Sequence, residues 1–258
     1  MSPYLDYFYL HSRWHSDDER HVRKMKSYFQ RLLGSSLPVD RAAAVLEIGC
    51  GRGYALMALG DLGFTHLTGI DADPGQVRHC LDEKLPVLHT PDSGEYLRRH
   101  PENWDLVLAL DVLEHLPRHE QMGFVESIRR SIRPGGTFIC TVPNANSSMA
   151  VRQRYIDWTH RISFTEHSLD FLLHSGGFRE ITIRGAGSPL RPTLSTLFHP
   201  RTLRWLLSKG FHAMRRLEMI AELGWREGKS SPLSLLLLGI ARRGISIEPG
   251  SEHLRSEQ

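Results

Sequence analysis

Three apolar residues run into an acid, and three alternating glycines follow: Val45-Leu46-Glu47-Ile48-Gly49-Cys50-Gly51-Arg52-Gly53. The apolar run reads as a buried strand, the glycines as a tight turn, and Tyr54 onward as a helix. Glycine reaches backbone dihedrals closed to other residues and lets another group come close to the chain. The helix start adds N–H groups without intrahelical partners. Such a stretch is either an ordinary strand-to-helix connection or a cradle for a small ligand. The rest of the chain has to separate the two.

Past Tyr54 the sequence alternates between short apolar runs and helical spacing. Strands are expected at 44–49, 66–70, 86–89, 104–110, 137–142, 179–184 and 233–241. Helices are expected at 54–61, 75–81, 94–99, 120–132 and 165–175, with Pro74 in a first helical turn. Arg133-Pro134-Gly135-Gly136 reads as a turn, and the stretch from Asn144 to Ser163 as a polar loop. Strands alternating with helices call for right-handed crossovers and a mostly parallel sheet. Near-continuous apolar strands such as Trp104–Leu110 call for helices on both faces of that sheet. The expected fold class is α/β.

Three segments flank or interrupt this pattern. Residues 1–43 begin with an aromatic cluster, Tyr4, Tyr7, Phe8, Tyr9 and Trp14. Ser16 is then placed to cap a helix whose first turn carries acids, which suit the positive end of its dipole. Val22, Met25, Phe29, Leu32 and Leu33 recur at helical spacing. This N-terminal segment is either a packing helix or a helical lid whose aromatics cover a pocket. Residues 193–231 form a helical insertion before the last strand. Within 201–223, Arg201, Arg204, Lys209, Arg215 and Arg216 stand beside Leu203, Leu206, Leu207, Phe211, Met214 and Leu217. Such a basic amphipathic helix packs on its own domain, contacts another copy or lies on a membrane surface; packing is the expectation. Residues 242–258 form a polar tail, leaving 44–241 as the main domain.

Net charge is only +3, so no whole-molecule attraction to nucleic acid is expected. Cys50, Cys80 and Cys140 lie in apolar surroundings without metal-type spacing, as expected of reduced thiols in the cytoplasm. Met1–Tyr9 lacks a basic stretch leading into an apolar core, so no export signal is expected there. No apolar run reaches the length of a membrane span. The expected location is cytoplasmic, with the inner membrane surface as the place of any contact through 201–223.

In open α/β sheets, ligands bind beyond the carboxyl ends of the strands. Those ends carry Glu47 with the glycines, Asp71, Thr90 with Asp92, Asp111 with Glu114 and His115, and Pro143-Asn144. An acid about twenty residues after the glycines suits two vicinal ribose hydroxyls, because one carboxylate can accept from both. A nicotinamide dinucleotide would want G-x-G-x-x-G. Here the glycines are Gly49, Gly51 and Gly53, and counted from Gly51-x-Gly53 a third glycine would fall at Leu56, so the dinucleotide spacing is absent.

Four pieces in order therefore carry a resemblance: residues 45–53, Gly69-Ile70-Asp71-Ala72-Asp73-Pro74, Trp104 through Leu116, and Arg133-Pro134-Gly135-Gly136. Together they resemble the class I S-adenosylmethionine-dependent methyltransferases. The resemblance implies a Rossmann-like, seven-strand, mostly parallel sheet whose last strand inserts antiparallel. It implies S-adenosylmethionine as cofactor, with Glu47 and the backbone of Gly49, Cys50 and Gly51 facing its methionyl part. It further implies Asp71 on the ribose hydroxyls, Ala72 against the adenine edge, Asp92 near the adenine amino group, and the Leu110 carbonyl or Asp111 at the methionyl ammonium.

The methyl acceptor rests on two clusters, Asp111-x-x-Glu114-His115 and Asp157-Trp158-Thr159-His160. An alcohol must lose its proton to a positioned base or to a metal that lowers its pKa. The first cluster resembles a motif of ubiquinone-pathway O-methyltransferases and plant small-RNA 2′-O-methyltransferases, which hold magnesium, and His160 matches a later histidine of the RNA enzymes. That implies Asp111, Glu114, His115 and His160 around Mg2+. Asp111, however, stands where those families carry Glu, and two histidines are atypical for magnesium. Without a metal, His160 or His115 serves as base, with Asp157 alongside; the plain alternative is that these groups only cap and brace their loops.

The run Arg154–Thr165 with Gly176-Gly177-Phe178 is similar to bacterial methyltransferases of surface-polysaccharide and O-antigen biosynthesis. It implies a sugar hydroxyl of a cell-surface glycan or its precursor as acceptor. The alternative acceptor is a phenolic or quinone-type small molecule. A polar slot with Trp14 or Trp158 would speak for sugar; an apolar slot lined by the N-terminal aromatics and the 193–231 helix would speak for the ring. A non-catalytic scaffold keeping the fold is a third reading, against which the intact Glu47, Asp71 and glycines argue.

Overall fold

The apolar runs pair into one sheet. The computed structural model describes residues 7–12, 15–186 and 200–245. Within them the strands are β1 (Ala44–Ile48), β2 (His66–Asp71), β3 (Val87–His89), β4 (Trp104–Leu110), β5 (Ile132–Pro143), β6 (Arg179–Ala186) and β7 (Leu236–Arg242). Their order is β3-β2-β1-β4-β5-β7-β6. β7 runs antiparallel to both neighbours, β5 and β6, while the other pairs are parallel. This is the Rossmann-like sheet that the alternation and the resemblance implied.

Helices cover both faces because successive strand residues point to opposite sides. In β1, Val45 and Leu46 enter different cores, and in β4 Leu106 and Val107 do the same. One core joins the sheet to α5 (Ser93–Arg99), α6 (Arg118–Ser131) and α8 (Glu166–Ser175) through Leu97, Val125, Ile128, Leu169 and Leu173. The other joins it to α2 (Glu19–Leu33) and α3 (Tyr54–Asp61) through Leu32, Leu33 and Leu59. Each such side chain, fully buried, contributes about 1.5–3 kcal/mol. α4 (Pro74–Asp82) adds a smaller cluster in which Val77 and Cys80 meet Cys50 and Leu56. All three cysteines are free and buried.

Several local expectations are corrected. The N-terminal helix starts at Glu19 with Asp18 as its N-cap, and Ser16 Oγ only accepts the Asp18 N–H at 3.1 Å. Arg133–Gly136 lies inside β5 as an irregularity, because Trp104 pairs with Ile132 and Leu106 with Thr137. The last strand starts at Leu236, not Leu233, since Asn144 Nδ2 donates to the Pro232 and Ser234 carbonyls and holds the chain outside the sheet. The stretch after Asn144 contains a short helix, α7 (Ala150–Ile156).

α2 settles the N-terminal segment in part: it packs on the sheet as a core element. Before it, α1 (Tyr7–Ser12) brings Phe8 under the Arg52 guanidinium at 4.6 Å. Arg52 also pairs with Asp17. The insertion forms α9 (Pro200–Leu223) and α10 (Trp225–Ser230), and α9 does not bury its apolar face, contrary to the packing expectation. Tyr4, Trp14, residues 193–199 and the tail from 246 onward lie outside the described residues, as do the side chains of Arg201 and Arg204. No described helix is long and apolar enough to cross a membrane.

Candidate active site

Strand order reverses between β1 and β4, and the glycine turn after β1 sits at that reversal. Gly49, Gly51 and Gly53 all take positive φ, +65°, +52° and +72°. A Cβ on Gly49 would lie 2.9 Å from the Val112 side chain, and one on Gly53 would lie 2.3 Å from Leu85. A Cβ on Gly51 would meet nothing within 4 Å. Gly49 and Gly53 are thus demanded by packing, while Gly51 borders open space.

Asp71, at the end of β2, braces this turn. The Gly51 N–H donates to its Oδ2 at 2.8 Å, and the Asp73 N–H to its Oδ1 at 2.9 Å. Burial raises the Asp71 carboxyl above its ordinary range, while these N–H donors pull the other way. Each carboxylate oxygen has a further lone pair for a ligand hydroxyl. Glu47 is buried beside the turn with Oε2 lacking a hydrogen-bond partner. Burial, then the proximity of Cys80 and Asp71, pushes its carboxyl well above the usual range. An orphaned buried acceptor of this kind fits a ligand that brings a cation or an N–H donor.

Two cavities open on this rim, of about 360 Å³ and about 1220 Å³. They share Gly49, Gly51, Asp111, His115 and His160. The larger is bordered by Asp71, Ala72 and Asp92 on one side and by Arg154, Trp158 and Arg161 on the other. The smaller takes Glu47, Cys50, Leu110 and Asp111, and is walled by Met25, Tyr28, Phe29 and Leu32 of α2 with Ile156 and Leu236. Asp92 Oδ1 accepts the Glu95 N–H at 2.9 Å as the N-cap of α5, and Oδ2 lies 3.9 Å from Arg98.

The two acceptor clusters come together at the junction of the cavities. Glu114, His115 and His160 each bring a potential ligand atom within 4.8 Å of the others. The His115 and His160 rings meet edge-on at 4.7 Å. His160 Nδ1 lies 2.7 Å from the Gln153 carbonyl, which can only accept, so Nδ1 bears the proton and Nε2 the lone pair. His115 Nδ1 lies 2.7 Å from Thr159 Oγ1. That hydroxyl donates to Asp157 Oδ1 at 2.6 Å, so it accepts from His115, whose lone pair is then also on Nε2.

Asp157 is anchored by Thr159, whose N–H and hydroxyl both donate to its Oδ1. Burial raises its carboxyl, but the Thr159 hydroxyl and N–H and the two histidines outweigh burial, and the net shift is downward. Glu114 is fully buried, and neither carboxylate oxygen has a hydrogen-bond partner; its Oε1 is 3.9 Å from His160 Nε2. Burial, with Asp111 next, pushes it well above the usual range. Arg161 N–H donates to the Glu114 carbonyl at 2.8 Å and ties the two loops together.

Asp111 is not in this three-residue group among the described residues. It sits on a left-handed backbone, φ +57°, and its Oδ1 accepts from Thr141 Oγ1 at 2.9 Å. The surrounding protein raises its carboxyl, against the Thr141 bond and His160, although the cavity leaves the side chain accessible. The four-residue metal set is therefore reduced to Glu114, His115 and His160, and Asp157 stands behind His115 rather than beside it as a base. Sequence alone assigns no role to three residues that border this site. Tyr28 lines the smaller cavity, its phenol pushed up to about 12 by burial and by Asp111; the spacing Met25, Tyr28, Phe29, Leu32 was its signal. Thr159, two residues after an acid, was visible as an Asx-type turn. Gln153 acts through its main-chain carbonyl, for which side-chain identity carries no signal.

A family model described as a methyltransferase domain matches residues 17–209. The chain is 28% identical over 178 residues to a ubiquinone biosynthesis O-methyltransferase of Methylobacterium sp. (strain 4-46), covering 62% of this chain and 66% of that one. It is 26% identical over 193 residues to the protein of the same description from Cereibacter sphaeroides (strain ATCC 17029), covering 72% and 76%. Among solved structures it is similar to a SAM-dependent methyltransferase from Archaeoglobus fulgidus, with TM-score 0.63 and 20% identity over 92% of this chain and all of that one. It also resembles phosphoethanolamine N-methyltransferase 2 of Haemonchus contortus in complex with S-adenosylmethionine, with TM-score 0.59 and 14% identity over 94% and 58%.

Proposed function

This chain belongs to the methyltransferase-domain family and uses S-adenosylmethionine, and we propose that it methylates a hydroxyl oxygen held against Glu114, His115 and His160. The observation that carries this reading is the convergence of those three side chains where the two cavities meet. An alcohol or phenol needs its proton removed before it attacks, which is the work such a cluster can do.

Bound S-adenosylmethionine supplies an electrophilic methyl group on a sulfonium. Glu47, Cys50, Asp71, Ala72, Asp92, Leu110, Asp111 and the backbone of Gly49 and Gly51 are the residues we assign to holding it. The protein's other task is to hold the acceptor oxygen in line. His160 accepts the acceptor's proton at Nε2, with its ring fixed by the Gln153 carbonyl. Asp157 and Thr159 position His115 and are not themselves in contact with the reacting oxygen on this reading. The cluster also fits a divalent cation, since a buried carboxylate without a hydrogen-bond partner faces two lone-pair nitrogens. Glu114, His115 and His160 would hold such an ion, which would lower the pKa of a bound hydroxyl. Two imidazoles favour a softer ion than magnesium.

The acceptor best supported is a hydroxyl on an aromatic ring. The smaller cavity has apolar walls from α2, and the relatives named above carry the description of ubiquinone biosynthesis O-methyltransferases. A sugar hydroxyl of a glycan is the second reading. It is supported by Trp158, 88% exposed, beside Arg154 and Arg161 at the lip of the larger cavity. A screen with methyl-labelled donor separates them: catechols and hydroxylated quinone precursors should take label on oxygen. Label confined to glycans or nucleotide sugars would favour the second reading, and label on nitrogen or carbon alone would reject both.

A further inference from the structure

α9 turns its apolar face away from the protein. Leu203, Leu206, Leu207, Phe211, Met214 and Leu217 fall on one side at helical spacing, and each is between 54% and 68% exposed. The opposite side meets α10: Met219 is buried, as is Thr202, and Arg216 donates to the Gly228 and Ser231 carbonyls at 2.5 and 2.7 Å. From Leu203 to Leu217 the helix offers an apolar stripe about 21 Å long. Isolated exposed apolar residues need no explanation, but a continuous stripe marks a surface that meets something.

The charge around the stripe says what that is. Residues 200–230 carry seven Lys and Arg against three Glu, a net of +4 in a chain whose total is +3. The positive charge of the whole protein is therefore concentrated on α9 and α10. Lys209, Arg226 and Lys229 are exposed, and Lys229 sits 5.2 Å from the centre of the exposed Trp225 ring. An apolar stripe with basic flanks and an exposed tryptophan at one end matches the interface of a bilayer with anionic headgroups. A second copy of the chain would set one basic hairpin against another, which the charge opposes.

We propose that α9 docks this enzyme on an anionic lipid surface, lying in the interface plane with its six apolar side chains inserted. The hairpin is rooted at the acceptor rim: Asn144, directly after β5, holds the Pro232 and Ser234 carbonyls, and Leu236 lines the smaller cavity. The inference goes beyond the acceptor assignment and stands or falls without it, since its readout is binding rather than turnover.

The test is co-sedimentation of the full chain with vesicles of phosphatidylcholine, with and without phosphatidylglycerol. The protein should sediment with the anionic vesicles and be released as salt rises. Phe211→Glu with Met214→Glu should weaken vesicle binding by about tenfold or more while donor affinity by calorimetry stays unchanged. Both side chains are exposed, so the pair does not threaten the fold. Failure to bind either vesicle, or binding indifferent to the double variant, would overturn the proposal. So would a wild-type dimer in light scattering that the double variant makes monomeric without any lipid binding, which would assign the stripe to a second copy.

Discussion

Glu114 is a carboxyl without a compensating hydrogen bond, fully buried and held well above its usual 4.5 by burial and by Asp111. A folded-state pKa above the unfolded one means that the folded state holds the extra proton between the two values. Stability then falls as pH rises through that window. Glu47, Asp71 and Asp111 are shifted the same way and add to the slope. The midpoint of thermal unfolding of the ligand-free enzyme should therefore fall as pH rises from the ordinary carboxylate range toward the alkaline side. Glu114→Gln should be increasingly favourable relative to wild type toward the upper end, by about 1–3 kcal/mol, or about 2–4 °C per kcal/mol. A divalent cation should raise the midpoint of the wild type at the upper pH and not that of the variant. A flat pH profile that the substitution leaves unchanged would contradict the assignment. Sequence showed this residue only as the middle of Asp111-x-x-Glu114-His115. Its isolation comes from the His160 loop closing over it, which no local pattern encodes.

At the scale of elements, the glycine turn separates what packing needs from what a ligand needs. Gly53→Ala puts a methyl group 2.3 Å from Leu85 on a left-handed backbone, so it should cost about 1–3 kcal/mol of stability. Gly51→Ala is also left-handed but meets open space, so its larger effect should be on donor affinity. Paired melting and calorimetry on the two variants check this; equal losses of affinity and stability in both would dissolve the distinction. Elements were legible in sequence where burial writes a period. The strands β1 and β4 were plain because both their faces are covered. α7 was invisible because it has no buried residue: Val151 and Tyr155 face solvent, so its apolar positions do not repeat toward a core. The irregularity in β5 was read as a turn because its proline and glycines look like one, and only pairing with Trp104 keeps it in the sheet.

The whole molecule brings together residues that the sequence keeps far apart. Glu47, Asp71, Asp111–His115 and Asp157–His160 belong to four different strand ends or loops, and the order β3-β2-β1-β4-β5 sets them along one rim. The strand ends could be located from the alternation, and the proposed donor half rests on them because one acid stands at each of three ends. The acceptor half did not follow, because the distance between the 111–115 and 157–160 loops depends on how the segment after β5 folds back, through pairs such as Asn144 with Phe164. The central claim is that this folded-back loop supplies the group that activates an acceptor oxygen. Its most direct test is methyl transfer from labelled donor to the best hydroxyl acceptor, measured for wild type and His160→Ala alongside donor affinity. Turnover should fall by about 10²–10⁴-fold with donor affinity nearly unchanged; turnover that survives the substitution would contradict the claim.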